Sequence, residues 1–566
     1  MRISALLLFG LLCSRAMASD IAPEPESDWI EKTSFKAQSY IAVTADARAT
    51  AAATSILHQG GSAIDAAIAA QMVLNLVEPQ SSGIGGGGFL LYYDVSTDTL
   101  TSFDGRETAP AAADPEMFLD KHGKPFDFMK AVRSGNAVGT PGLLAMLELA
   151  HDQYGILNWS ALFDHAIHLA KEGFVVSPRL HDAIVYAQKS DTSSAFNTLY
   201  LDGKGGAIPV GKFLRNAELA DTFRDIQKKG ADAFYRGERA ERIEQAVRAH
   251  DGTLSTYDLE GYPPIERLPV CGDYRDNTIC GMDAPSSGGI TLLSTLGMLE
   301  YSELTSPYDA AELHLILEAQ KRAFADRNRY ITDPAFSEGM ISEALLDERY
   351  LKKRAKEITS IASGKAKPGE FDIAWGADAS FDAPATTHIS IVDSEGNVAS
   401  LTSSVEHSFG SGIVVDGFVL NNQLTDFSFT PEEGGKPVAN AVAPEKRPRS
   451  SMTPTIVFGK NGKVRYVLGS PGGHSITPYV TKTLIALIDW QMRPQAAVNA
   501  PHFMHKNGVA AEIEEGNEPL AEALREMGHN VTVKPFSSGV NLIAIEADGR
   551  LIGAADPRRE GSAMGE

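Results

Sequence analysis

The chain has 566 residues, of which 43% are hydrophobic and 22% charged, which excludes an intrinsically disordered protein and gives length for several layers of structure. Its formal net charge of −22 excludes a surface built to neutralise nucleic-acid phosphates; an acid excess of this kind mainly keeps a protein soluble.

Residues 1–18 have the pattern of an export signal: Arg2, an apolar run over 3–12, then Ala16-Met17-Ala18 as a small-x-small cleavage site. The run is too short to span a bilayer, and Leu12 is bulky for a lipid attachment at Cys13. Removing the signal takes Arg2 and Arg15 and no acid, which moves the charge from −22 to −24. Helices are expected over 46–58 and 63–76, with Gly60-Gly61 stopping the first. The next segment, SSGIGGGGFLLYYDV, matches G-x-G-x-x-G at Gly83, Gly85 and Gly88. A dinucleotide site needs a strand before that motif and a helix after it; here a helix precedes and a strand follows, so a nicotinamide or flavin enzyme is disfavoured. Two readings remain, a close approach of backbone to backbone or ligand, and a tight turn. Arg106, in FDGRETAP, offers a bidentate fork for a carboxylate.

Cys271 and Cys280 flank a turn-like segment, VCGDYRDNTIC. In an exported protein this reads as a local disulfide, with two packed thiols as the alternative; no His or Cys cluster nearby makes it a metal site. A long helix is expected over 310–330. Residues 363–385 are rich in Gly, Pro, Ala and Asp and read as an exposed, mobile connector. Alternating strands follow over 387–392, 398–404, 417–420 and 464–468, and a helix over 477–490, so stacked helix and sheet layers are expected.

The connector ends at Ala385-Thr386. With Ser394-Glu395-Gly396 as the turn and Asp393 paired with Asn397, hairpin register puts Thr386 opposite Ser404, with Glu406 one step beyond. A threonine hydroxyl needs a base to become a nucleophile. Cleavage at Ala385–Thr386 would give Thr386 a free α-amine, with an ordinary pKa of about 7.7–8.0, and such an amine can activate its own side chain. On spacing alone an ordinary strand threonine is the stronger reading. Other segments shift the balance. In KVRYVLGSPGG a strand ends in a turn where the N–H groups of Gly472 and Gly473 can hold an oxyanion. Ser450 and Ser451 follow Arg449, and Gln423 and Asp426 supply an amide and a carboxylate. His388 and His407 offer a weak metal-site alternative without ligand spacing around them.

The segments EPQSSGIGGGGF, FDGRETAP, EAQKRAFADR, TTHISIVDSEGN, NNQLTDF, KRPRSSMTPT, GSPGG and GAADPR together resemble the gamma-glutamyltranspeptidases, or glutathione hydrolases, of the N-terminal nucleophile superfamily. The resemblance implies a four-layer αββα sandwich and a precursor that cuts itself into a large subunit, 19–385, and a small one, 386–566, which stay together. It implies Thr386 as nucleophile, positioned by Ser404, with Gly472 and Gly473 as oxyanion donors. Arg106, Ser450 and Ser451 would hold the glutamyl α-carboxylate; Gln423 and Asp426 would hold the α-amine, with Glu406 beside them. Glutathione and other γ-glutamyl compounds would be donors, water or an amino acid or peptide the acceptor; no cofactor is implied. The periplasm is the expected compartment, with secretion as the alternative. The loop 427–449 is shorter than in relatives with an aromatic lid and has no Tyr or Trp. A glutaryl-type acylase of the same fold and a non-catalytic exported binding protein are the competing readings.

Overall fold

The computed structural model describes residues 29–190, 192–337, 341–378, 380 and 385–566; the export signal expected over 1–18 lies outside them. Two antiparallel sheets of seven strands form the centre. One runs in the order Ser562–Gly565, Ile41–Thr44, Ala385–Val392, Val398–Glu406, Gly87–Asp94, Thr99–Gly105 and Ile265–Arg267. The other runs Phe35–Ala37, Leu551–Ala555, Asn541–Ile545, Val464–Gly469, Thr455–Gly459, Asn277–Gly281 and Val270–Tyr274. Between the sheets, Ile41, Leu91, Val392 and Val398 meet Ile456, Val467 and Ile543.

Helices close both outer faces. Ala47–His58 and Ala63–Val77 cover the first sheet, and Gly288–Leu299, Ala310–Tyr330 and Ile476–Ile488 the second, giving the four αββα layers expected. The helix starts follow capping chemistry. Arg48 N donates to Asp46 Oδ1 (2.7 Å), and Ser62 and Asp65 form a reciprocal capping box. Ala63–Val77 is buried along its whole length, which explains why its alanine-rich sequence lacks a polar stripe.

The glycine run enters a strand, and its glycines are needed for close backbone approach: a Cβ on Gly85 would lie 2.1 Å from the Val419 carbonyl oxygen, and one on Gly86 2.1 Å from that of Ser404. Cys271 and Cys280 face each other across a hairpin and are bonded, with Cα atoms 4.1 Å apart. The expected strand over 417–420 is a two-residue piece, Phe418–Val419, paired with Val414–Val415.

The described part of the connector is largely exposed or half-buried, as expected, and is tied to the body at several points. Gly369 N donates to Asp326 Oδ1 (2.6 Å), Tyr330 Oη donates to the Gly369 carbonyl (2.5 Å), Ser363 Oγ donates to Glu318 Oε2 (2.6 Å) and Gly376 N to the Pro437 carbonyl (2.9 Å). Asp326 and Tyr330, on the helix Ala310–Tyr330, and the Pro437 carbonyl thus satisfy part of its backbone. Among the described residues no helix is long and apolar enough to cross a membrane.

Candidate active site

The hairpin carries Thr386 in the register its turn dictates. Asp393 Oδ1 accepts from Glu395 N (3.0 Å) and Asn397 N (2.9 Å), and the ladder then pairs Val392 with Val398 and Thr386 with Ser404. Alternation sends Ile389 and Ile391 to the helix layer, and Thr387 Oγ1 donates to Glu78 Oε2 there (3.3 Å). Thr386, His388 and Ser390 face the other sheet. The seam between sheets is therefore apolar at Val392 and polar towards Thr386. His388 is buried between Thr402 Oγ1 (2.8 Å from Nδ1) and Ser390 Oγ (3.0 Å from Nε2), and burial pushes it down to about 3, so it is neutral. His407 stacks on Tyr186 and is likewise lowered to about 3 by burial and, secondarily, Arg133. Among the described residues no group of three or more His, Cys, Asp or Glu is arranged to hold a metal ion.

At the buried end of this seam, Thr386 Oγ1 donates to Ser404 Oγ (3.4 Å), and Ser404 Oγ donates to the Ala385 carbonyl oxygen (2.5 Å) and accepts from Glu406 N (2.9 Å). The hydroxyl thus links the Thr386 side chain to the bond that precedes it. Register slips here, so that Ala385 pairs with Glu406. Glu406 takes φ +81°, a left-handed conformation that non-glycine residues rarely hold, and its side chain neighbours Asp426.

Gly472 and Gly473 lie in the turn after the strand Val464–Gly469. The Leu468 carbonyl accepts from Ser400 Oγ, and Gly469 lies against the His388 ring, so the strand runs towards the Thr386 end of the hairpin. Beyond it, a Cβ on Gly539 would meet both Pro471 and Arg559, and Arg559 Nη1 donates to the Thr386 carbonyl (3.3 Å). Gly472 has φ +129°, and a Cβ there would lie 2.7 Å from the Tyr479 ring; both facts require glycine.

Arg106 is fully buried just after the strand Thr99–Gly105. Its Nε donates to the Pro448 carbonyl (3.0 Å), and its Nη2 to the Arg449 carbonyl (2.9 Å) and to Asp426. Nη1 lies 3.6 Å from Glu107 Oε2 and has no hydrogen-bond partner among the described residues. Burial outweighs that cation and pushes Glu107 up to about 8. Burial also raises the Asp426 carboxyl, against the pull of Arg106. Gln423 shares the single turn Gln423–Asp426, and its Oε1 has no hydrogen-bond partner among the described residues. Ser451 Oγ accepts from Arg327 Nη2 (2.7 Å) and Ser450 Oγ from Met452 N (3.1 Å), which leaves each hydroxyl proton available to a carboxylate.

The structure therefore joins Arg106, Asp426 and Glu406 and ties them, through Glu406 N and Ser404, to Thr386. Sequence reasoning passed over Arg559 and Arg327, and it took Asn421 only as one of the amides of the segment 421–426. Asn421, whose Oδ1 accepts from Gln423 N (3.0 Å) and Gly139 N (3.0 Å), and Arg327 both sit in quoted motifs; a hydrogen-bonding side chain next to a site residue was the available signal. The loop 427–449 is rooted by Phe429, stacked on Phe118 (4.6 Å) and Phe128 (6.2 Å).

Residues 49–566 match the family model for gamma-glutamyltranspeptidase. The glutathione hydrolase proenzyme of Escherichia coli is 36% identical, over 98% of this chain and 97% of its own length. That of Bacillus subtilis is 38% identical, over 92% and 90%. Among solved structures, a cephalosporin acylase from Bacillus halodurans superposes with a TM-score of 0.85 at 27% identity, covering 96% of this chain and 99% of the acylase.

Proposed function

Because the chain belongs to the gamma-glutamyltranspeptidase family, we propose that it is an exported glutathione hydrolase and γ-glutamyl transferase that generates its own nucleophile. The observation that carries this reading is the Thr386–Ser404–Ala385 contact. In the uncut chain, Thr386 Oγ attacks the Ala385 carbonyl carbon while its proton passes towards Ser404. The oxyanion growing on Ala385 is stabilised by the Ser404 hydroxyl that already donates to that oxygen. Collapse breaks the C–N bond, the Thr386 nitrogen takes up the proton, and an ester remains. Water opens the ester, giving a carboxylate at Ala385 and a free amine at Thr386. The large and small subunits stay associated.

That amine is then the base for the second reaction. The α-carboxylate of the donor fits Nη1 of Arg106, which has no hydrogen-bond partner among the described residues, and the hydroxyls of Ser450 and Ser451. The α-ammonium fits Asp426, Glu406 and the free Oε1 of Gln423. So anchored, the γ-carbonyl meets Thr386 Oγ, and the N–H groups of Gly472 and Gly473 take its oxyanion. Cysteinylglycine leaves with a proton, and water or an amino acid or peptide takes the acyl group from Thr386.

Thr386→Ala is expected to run as one uncut chain on a denaturing gel and to release no chromophore from a γ-glutamyl anilide. Two fragments split at residue 386 in that variant defeat the mechanism. The acylase likeness motivates a parallel assay: the Asp426 carboxylate beside Arg106 favours a zwitterionic end, so γ-glutamyl anilide is expected to outrun glutaryl anilide. N-terminal sequencing is expected to find starts near Ser19 and at Thr386, as export to the periplasm and self-cleavage require.

A further inference from the structure

The connector reaches the amino-acid end of the site through one carboxylate. Asp378 has a fully buried side chain, and its Oδ2 accepts from Arg449 Nη2 (2.5 Å) and Asn440 Nδ2 (3.2 Å). Ser380 Oγ accepts from the same Arg449 nitrogen (3.0 Å) and donates to Asp378 Oδ2 (3.0 Å). Arg449 and Asn440 are also bound to each other, Arg449 N donating to Asn440 Oδ1 (2.9 Å). Both pass the contact on. The Arg449 carbonyl accepts from Arg106 Nη2 (2.9 Å), and Asn440 Nδ2 donates to the Asp426 carbonyl (2.7 Å). The two side chains that clasp opposite charges of an α-amino acid thus lean on one buried triangle, closed by an acid that stands eight residues before Thr386. Two further contacts dock the segment beside it: Gly376 N on Pro437 O (2.9 Å) and Asp378 N on Asn328 O (3.1 Å).

We propose that Asp378 is a positioning residue for donor recognition: acting through Arg449 and Asn440, it fixes where Arg106 and Asp426 meet the α-carboxylate and α-amine. The inference rests on the function proposed above. It makes the tail of the large subunit a working part of the mature site as well as the strand that is cut. Removing one partner from a buried, hydrogen-bonded ion pair leaves the other charge uncompensated, so Arg449 and the backbone at 440 and 449 must shift.

The test compares cut parent, Asp378→Asn and Ser380→Ala proteins. For Asp378→Asn, the KM for γ-glutamyl anilide and the Kd for L-glutamate, read by calorimetry, are expected to rise about tenfold, with kcat changed less than about threefold. Ser380→Ala keeps the ion pair and removes one hydroxyl, and a smaller rise in the same two quantities is expected; it carries the test if Asp378→Asn stays uncut. A merely structural role lowers the melting temperature and leaves both constants at the parent value, and that result in cut variant protein overturns the assignment. A parent that neither binds L-glutamate nor hydrolyses the anilide defeats the function reading itself.

Discussion

Ser404 is the smallest group on which both proposed reactions depend. Its oxygen accepts from Thr386 and from Glu406 N, and its proton goes to the Ala385 carbonyl, the oxygen that becomes negative when the chain is cut. A donor preorganised at a developing oxyanion is worth about 10²–10³ in rate. Ser404→Ala is therefore expected to slow conversion of the single chain to two fragments by about that factor, followed by gel densitometry during incubation of freshly purified precursor. Ser404→Thr keeps the hydroxyl in the same ladder position and is expected to cut at close to the parent rate. Equal cutting by the alanine variant would show that some other group polarises Ala385. That Ser404 stands opposite Thr386 was legible from pairing arithmetic alone, because a two-residue period and a fixed turn leave a hairpin one register, whereas its role came only with the family resemblance. The convergence of Arg106 with Asp426 was not: 320 positions separate them, and no local rule relates a loop after one strand to a turn after another.

The hairpin Val270–Tyr274 with Asn277–Gly281 stands at the edge of its sheet, with the cystine across it and the strand Thr455–Gly459 between it and the strand leading to Gly472. A cystine closing so short a loop, its ends nine positions apart in sequence, removes little freedom from the unfolded chain, corresponding to about 2–3 kcal/mol. The double variant Cys271→Ser with Cys280→Ser is expected to lose about that much in urea unfolding, with unchanged anilide hydrolysis. A fall in kcat would mean that the edge hairpin holds the turn proposed to bind the oxyanion. Elements with strong local signals were read almost to the residue, as with the helix Ala310–Tyr330, whose apolar spacing and Asp309 cap agree. Composition read the connector as exposed, which holds over much of its described length, but it could not show where the segment docks. Its partners, Asp326, Tyr330, Asn440 and Arg449, belong to other segments, and tertiary hydrogen bonds override a local preference for looseness.

At the scale of the molecule, the proposed cut would not separate two bodies. In one sheet, strands from before residue 386 and from after it meet three times: Ser562–Gly565 on Ile41–Thr44, Ile41–Thr44 on Ala385–Val392, and Val398–Glu406 on Gly87–Asp94. In the other they meet twice, where Phe35–Ala37 pairs with Leu551–Ala555 and Asn277–Gly281 with Thr455–Gly459. The apolar seam between the sheets likewise draws Ile41 and Leu91 from one fragment and Val467 and Ile543 from the other. Neither fragment can then close a sheet or bury its own seam, and parting them would expose unpaired strand edges along with the core. The cut enzyme is accordingly expected to elute as one particle of the precursor's size under native conditions and to give two bands only once denatured. Fragment 386–566 produced alone is expected to lack a cooperative unfolding transition. Separation of the two pieces in urea should coincide with loss of circular dichroism. If the fragments part at a lower urea concentration while each keeps its secondary structure, the interleaved sheets are not what holds the enzyme together.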